Sequence, residues 1–367
     1  MIGSRHEKSL NALKHMSVRI DAELARALEE RAHGPAAAMY HMLRYFLGFV
    51  DEDFKASTEG GGKRFRPALC LLIAQGYGAG EKALDAAVAI ELFHNLTLIH
   101  DDVEDHDEYR RGKPTVWKLW GINNAINAGD IQSLIVARWV ARAARQSGAE
   151  ALSDILLETF IEVWEGQYLD FELADAPLDS GVVSEERYLL MTEKKSGALV
   201  RVAAEAAGVA AGKDEQECAR LREYGVCLGI AYQIADDYRS VWATKSETGK
   251  DAHGDIREHK RTLPFLAAFA EAQGAAKDRL KGLYSLSRQL SEAEISEALA
   301  LIDAADVRRD VQAKIREYSA RAMKAVSLLS LDEETKALLA GIVEMLVPEG
   351  GDSGIPASGG SAAIALA

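Results

Sequence analysis

Two acidic clusters give the chain its first chemical character. Asp101, Asp102, Glu104 and Asp105 belong to a run of six acids between Asp101 and Glu108, and Asp236-Asp237 form a second pair. Asp101 and Asp105 stand four residues apart, so on a helix they share a face. Their like charges repel unless a cation sits between them. Carboxylate oxygens are hard ligands that suit magnesium, an ion that keeps several waters and bridges to substrate phosphates. A charge run by itself is ordinarily a solvated helix end. Here each run continues an apolar helical stretch, through Ile99 in the first case and through Ile234-Ala235 in the second. The expectation is of two aspartate clusters, on separate helices, facing each other across a cavity.

Cations accompany the acids. Gly61-Gly62-Lys63-Arg64-Phe65-Arg66-Pro67 sets three of them on a glycine-rich loop ahead of a helix. There, backbone N–H groups and forked guanidinium groups can meet an anion. Arg110-Arg111-Gly112 follows the first acidic cluster, and Lys194-Lys195-Ser196-Gly197, Lys250 and Lys260 supply further positive charge. Taken singly, the loop is equally a surface turn and each lysine a solvated one. Taken with the acids, they suit a site for magnesium and phosphate together.

The elements that must position these groups are helices. Met39, Met42, Leu43, Phe46, Phe49 and Val50 recur at three- and four-residue steps, and the same period runs from Leu84 through Ile99. Further helices are expected over roughly 121–146, 150–175, 184–211, 214–243, 262–273, 276–290, 305–329 and 333–346, with Ser291-Glu292-Ala293-Glu294 opening another as a capping box. Strand patterns are scarce and no fixed-period repeat occurs. The expected architecture is all-α, one large domain over residues 35–347. A helical extension (1–34) precedes it and a flexible Gly/Ser/Ala/Pro-rich tail (348–367) follows it.

Composition narrows the function. The chain has 367 residues, 48% hydrophobic and 27% charged, with a net charge of −14. That balance is globular and repels phosphate backbones, so nucleic acid is not an expected partner. No stretch reaches the roughly 20 apolar residues of a transmembrane helix, and the N-terminus lacks a signal-peptide core. Cys70, Cys218 and Cys227 have no zinc-type spacing and read as buried thiols in a reducing, cytoplasmic setting.

Seven segments, in order, resemble the trans-isoprenyl diphosphate synthases, or polyprenyl synthetases. They are Gly62-Lys63-Arg64-Phe65-Arg66-Pro67, Asp101-Asp102-Val103-Glu104-Asp105 with Arg110-Arg111-Gly112-Lys113-Pro114-Thr115, Gly166-Gln167-Tyr168-Leu169-Asp170, Lys195-Ser196-Gly197, Tyr232-Gln233-Ile234-Ala235-Asp236-Asp237, Gly249-Lys250 and Lys260-Arg261-Thr262-Leu263-Pro264. The resemblance spans roughly residues 35 to 345. It implies an all-α fold of antiparallel helices around a central cavity, usually in a homodimer, and a reaction. An allylic diphosphate ionises, isopentenyl diphosphate attacks the allylic carbocation, and loss of a proton leaves a chain one five-carbon unit longer.

By that resemblance, Asp101, Asp105 and Asp236 are magnesium ligands supported by Asp102 and Asp237. Arg110, Lys195 and Lys250 contact the allylic diphosphate, with Ser196 and Lys260 in the same substrate-binding set. Lys63, Arg66, His94 and Arg111 form the isopentenyl diphosphate site, and Gln167, Asp170 and Gln233 line the reaction centre. The second motif departs from the family pattern at Ser240, where an acid would fall, so Ser240 is not expected to be a ligand. Leu96 and Thr97, about one turn before Asp101, are the expected chain-length residues, unless Leu96 is ordinary core. A leucine there suits a medium-length product, geranylgeranyl diphosphate first, with farnesyl or farnesylgeranyl diphosphate beside it. A class I terpene cyclase of the same fold is the alternative, disfavoured by the extra anion site. A non-catalytic regulatory subunit is disfavoured by the intact first motif.

Overall fold

The computed structural model describes residues 2–57, 61–243 and 253–347. The calls on Lys250 and on the tail from 348 lie outside them. The described chain is helical almost throughout, and it divides into two compact units. One comprises Met1–Phe160, Val202–Leu221 and Ser330–Leu338; the other comprises Ile161–Arg201, Arg222–Leu329 and Leu339–Ala367.

In the first unit the helices are α1 (Ile2–Glu29), α2 (Ala37–Phe46), α3 (Phe65–Gly76), α4 (Gly80–Glu104), α5 (Val116–Trp120) and α6 (Ile122–Ser147), with the start of α7 (Ala151–Asp175). Apolar residues surround α4 on every side: Ala86, Ala87, Val88, Ala89 and Ile90 are consecutive and fully buried. A helix without a polar face must be sheathed by others, and α1, α3 and α6 pack on it. Gly129 of α6 makes the closest approach, since a Cβ there would lie 2.0 Å from His100 Nε2. The N-terminal segment is thus a helix whose inner face, Leu13, Ile20, Leu24 and Leu28, is buried in this unit.

Glu217 is buried in the same unit. It accepts from Tyr77 Oη at 2.6 Å, Ser330 Oγ at 2.7 Å and the Ser330 amide, and pairs with Arg220 at 3.0 Å. Burial alone would raise its carboxyl pKa, but these hydrogen bonds outweigh it and hold the value below normal. The stability this adds is complete above the unfolded carboxylate range and fades as pH falls through the lowered folded value. Glu217→Gln is expected to cost about 1–2 kcal/mol at neutral pH and to flatten the acid side of the stability profile, as urea unfolding at pH 3 to 7 would show.

The second unit holds the rest of α7, α8 (Glu185–Thr192), a π-helical turn (Glu193–Gly197), part of α9 (Ala198–Ala210), most of α10 (Glu215–Trp242) and the later helices. Its core gathers Tyr188, Ile234, Leu263, Phe265, Tyr284, Ile295 and Val311. The Phe265 and Tyr284 rings stack at 3.7 Å. Ser291 and Glu294 form the expected capping box.

Three local readings need correction. The helix expected over 276–290 spans Gly274–Tyr284, and the Leu290 amide instead donates to the Arg257 carbonyl at 3.1 Å. The stretch 184–211 is one helical run interrupted by the π turn. The helical period read from Met39 to Val50 ends at Phe46, and Val50 instead forms an antiparallel bridge with Ala56. All three cysteines are buried, and burial pushes the Cys70 and Cys227 thiols up to about 12.

Candidate active site

In the first unit the acidic run forms the end of α4. Asp101 is half-buried in the last turn and Asp105 is the exposed C-cap, its amide bonded to the Asp101 carbonyl at 2.8 Å. The buried Asp102 is bound by Arg110 Nε. Burial raises the Asp102 carboxyl to about 6 against the pull of Arg110, and its Oδ2 is buried with no hydrogen-bond partner among the described residues.

Just beyond, Tyr109–Arg110 and Lys113–Pro114 pair as a two-residue antiparallel ribbon. Its turn residues Arg111 and Gly112 take φ of +53° and +76°, the signs that a tight two-residue hairpin turn of type I′ requires. Helix α2 supports the ribbon: Tyr45 Oη donates to the Pro114 carbonyl at 2.7 Å, and the Arg111 guanidinium lies 5.7 Å from the Phe46 ring centroid.

Arg111 also lies against the glycine-rich loop. A Cβ on Gly62 would sit 3.0 Å from its guanidinium carbon, so glycine is what permits the approach. Burial, with Arg64 and Arg110 nearby, lowers the Arg111 pKa to about 10, which leaves it cationic at neutral pH. Its Nη1 is buried with no hydrogen-bond partner among the described residues. Arg66 Nη1 meets His94 Nε2 at 3.1 Å. Burial and the surrounding Arg66, Arg111, Arg110 and Arg64 hold the His94 pKa well below its ordinary value, so the neutral ring accepts from Arg66 and carries its proton on Nδ1. Lys63 is exposed at the loop. Arg66, His94, Arg110 and Arg111 are therefore brought together electrostatically in one unit, the composition of an anion site.

Arg64 differs from its neighbours. Its side chain is 1% exposed, and it pairs with Asp21 at 2.8 Å and Glu91 at 3.0 Å and donates to the Leu47 carbonyl at 2.7 Å. Nothing in the spacing distinguishes this structural arginine from the loop's other two cations. Leu96 and Thr97 are both buried within α4, and Thr97 Oγ1 donates to the His94 carbonyl at 2.8 Å.

In the second unit Asp236 is half-exposed and 3.6 Å from Arg239, while Asp237 is buried. Asp237 accepts from Tyr188 Oη at 2.5 Å and Gln233 Nε2 at 2.9 Å. Burial, then Asp255, raise its carboxyl to about 7. Ser196 Oγ donates to Gln233 Oε1 at 3.0 Å, so Ser196, Gln233, Asp237 and Tyr188 make one chain of hydrogen bonds. Tyr188, seven residues before Lys195, carried no sequence signal of its own. Ser240 Oγ donates back to the Asp237 carbonyl at 2.8 Å.

Lys195 pairs with Asp170 at 2.5 Å and Lys194 with Glu165 at 2.5 Å. The π turn that bears them rests on Gly166, where a Cβ would lie 2.4 Å from the Lys195 amide nitrogen. Gln167 is buried on the same helix as Asp170. Lys260 is exposed, at 3.2 Å from Glu258 and 3.6 Å from Asp255.

Among the described residues no three His, Cys, Asp or Glu side chains converge as a ready-made cation site. The donors present are nevertheless the right kind. Magnesium takes one or two carboxylates and completes its shell with water and substrate oxygens, and accessible aspartates at helix ends fit that pattern.

The comparisons with known proteins agree with this chemistry. The Polyprenyl synthetase family profile matches residues 49–302. A (2E,6E)-farnesyl diphosphate synthase of Mycobacterium tuberculosis is 30% identical over 351 residues, 95% of this chain and 92% of its own. The geranylgeranyl diphosphate synthase of the same organism is 31% identical over 299 residues, 78% of this chain and 84% of its own. The crystal structure of a polyprenyl synthetase from Streptomyces coelicolor superposes with a TM-score of 0.81 at 29% identity, covering 92% of this chain and 99% of that one. Family members work with divalent metal ions bridging a diphosphate, and no described helix is long and apolar enough to cross a membrane. An all-α chain with these ordered motifs, this profile match and this superposition belongs to the polyprenyl synthetase family, prenyltransferases that elongate trans-prenyl diphosphates.

Proposed function

We propose that the protein condenses isopentenyl diphosphate with an allylic diphosphate in a magnesium-dependent reaction, and that its principal product is geranylgeranyl diphosphate. The observation that carries the site assignment is the buried cationic group of the first unit. Arg66 rests against a neutral His94, and Arg111 presents a buried donor with no partner among the described residues. A diphosphate supplies the acceptors such donors lack.

The roles are those the family resemblance implies. Lys63, Arg66, His94 and Arg111 hold isopentenyl diphosphate. Arg110, Lys195 and Lys250 contact the allylic diphosphate, with Ser196 and Lys260 in the same substrate-binding set. Asp101, Asp105 and Asp236 would hold magnesium, which would supply Lewis-acid stabilisation of the leaving pyrophosphate. Asp102, fixed by Arg110, and Asp237, fixed by Tyr188 and Gln233, keep these neighbours oriented. The allylic carbon–oxygen bond breaks and its electron pair leaves with pyrophosphate. The isopentenyl double bond then forms the new carbon–carbon bond, and a proton is lost from the adjacent carbon. Fixed cations stabilise the charge that develops on the leaving oxygen.

Product length rests on Leu96. Its position on α4, five residues before Asp101, and its size between alanine and phenylalanine favour a twenty-carbon product. Leu96→Phe is expected to shorten the chain by at least one five-carbon unit and Leu96→Ala to lengthen it. Chromatography of the dephosphorylated products reads both; an unchanged distribution in both variants refutes the assignment.

The chain acts as a homodimer in the cytoplasm. Support comes from the exposed apolar residues Ile122, Ile126 and Leu134 on α6, and from the stripe Leu157, Ile161, Tyr168 and Phe171 on α7. Three buried thiols suit a reducing compartment.

The deciding experiment incubates the purified protein with magnesium, isopentenyl diphosphate and dimethylallyl, geranyl or farnesyl diphosphate in turn. Release of a prenyl diphosphate longer than the starter is expected. A hydrocarbon released from the allylic diphosphate alone, or no product with any starter, overturns the proposal.

A further inference from the structure

The isopentenyl diphosphate loop is held by a helix that precedes the family-profile match. That match starts at residue 49, and Arg64, at the centre of the loop, bonds to Asp21 on α1 at 2.8 Å. One helical turn earlier on the same face, Ser17 Oγ reaches the Lys63 carbonyl at 3.4 Å. Glu91 of α4 and the Leu47 carbonyl complete the ring of acceptors around the guanidinium. Three acceptors from three parts of the chain therefore converge on one buried cation.

The backbone explains why so much is spent there. Arg64 takes φ +53°, the left-handed region, immediately before the first turn of α3. That conformation is disfavoured for a non-glycine residue, and it persists only when surroundings over-determine it. It also sets how the chain bends between Lys63 and Arg66. If the guanidinium loses an anchor, the bend relaxes and the two flanking cations lose their common aim.

We infer that Asp21, together with Glu91, is a positioning residue for the isopentenyl diphosphate site, acting through Arg64. Helix α1 is then part of the substrate-binding apparatus rather than an appendage. The inference rests on the reading of Lys63, Arg66, His94 and Arg111 given above and adds a residue that touches no substrate. Its signature is selectivity: substrates bound elsewhere should not notice the change.

The test uses the full chain and Asp21→Asn, which keeps shape and removes charge at a partly exposed position, with Asp21→Ala as a second variant. Calorimetric titration of isopentenyl diphosphate alone is followed by steady-state kinetics with each substrate varied. Expected is a three- to tenfold weaker isopentenyl diphosphate affinity and a matching rise in its KM. The kcat, the KM for the allylic substrate and the melting temperature should stay near those of the parent. Equal affinity in parent and both variants overturns the inference alone, as does a loss shared by both substrates. Failure of the parent protein to bind isopentenyl diphosphate overturns the site assignment and this inference with it.

Discussion

Asp101→Asn is expected to lower the elongation rate by about 10²–10³-fold with little change in stability. Asp101 is half-buried at the end of α4, outside the core that holds this helix in place. Asparagine preserves its volume and one oxygen donor but removes the negative charge that a divalent cation requires. The lost interaction is one that strengthens as charge moves onto the leaving pyrophosphate, so kcat falls far more than KM rises. Raising the magnesium concentration should recover part of the loss. Asp102→Asn tests the contrast, because Asp102 is already committed to Arg110; its removal should raise the allylic KM as well. Single-turnover measurements with saturating substrates would read both variants. A rate for Asp101→Asn within threefold of the parent would exclude it as a metal ligand.

The second large effect is expected at Gly166, a residue with no side chain of its own. An alanine Cβ there would come within 2.4 Å of the Lys195 amide nitrogen and 2.7 Å of its Cα. These are backbone atoms that cannot rotate away, so the π turn must shift as a body. Overpacking of this kind costs about 1–3 kcal/mol, and a displacement near 1 Å of a binding group can cost about 10²-fold in rate. Lys195 and Ser196 both ride on that turn. Gly166→Ala should therefore lower kcat/KM for the allylic substrate by about two orders of magnitude while sparing isopentenyl diphosphate affinity. Measuring the two substrates separately distinguishes this from global damage, which would weaken both.

How much of this was legible in the sequence depends on the range of the interaction. Helix positions were readable because burial imposes a 3.6-residue period, and the Ser291–Glu294 box because a cap is local. The acidic clusters at helix ends, and the ordered motifs around them, were readable because their chemistry depends on residue type. Arg64 was not readable in its true role. Its sequence neighbours are cations of the same kind, and the partner that distinguishes it, Asp21, lies on another helix 43 residues away. Tyr188 escaped for the same reason, since its link to Asp237 crosses 49 residues. The π turn within 184–211 was missed because a single extra residue in a turn hardly perturbs an apolar period. The early end of Gly274–Tyr284 reflects a tertiary bond, from the Leu290 amide to Arg257, that competes with helix continuation.

The cysteine arrangement gives the molecule a built-in reporter. Cys70 and Cys218 belong to one unit and Cys227 to the other. None offers an alkylating reagent a foothold while the fold stays shut. Pulsed labelling followed by peptide mass analysis would thus time how often each half breathes open, without engineering. A thiol newly introduced at an outward-facing position would be tagged ahead of all three, so a fluorophore could be placed on the otherwise natural sequence.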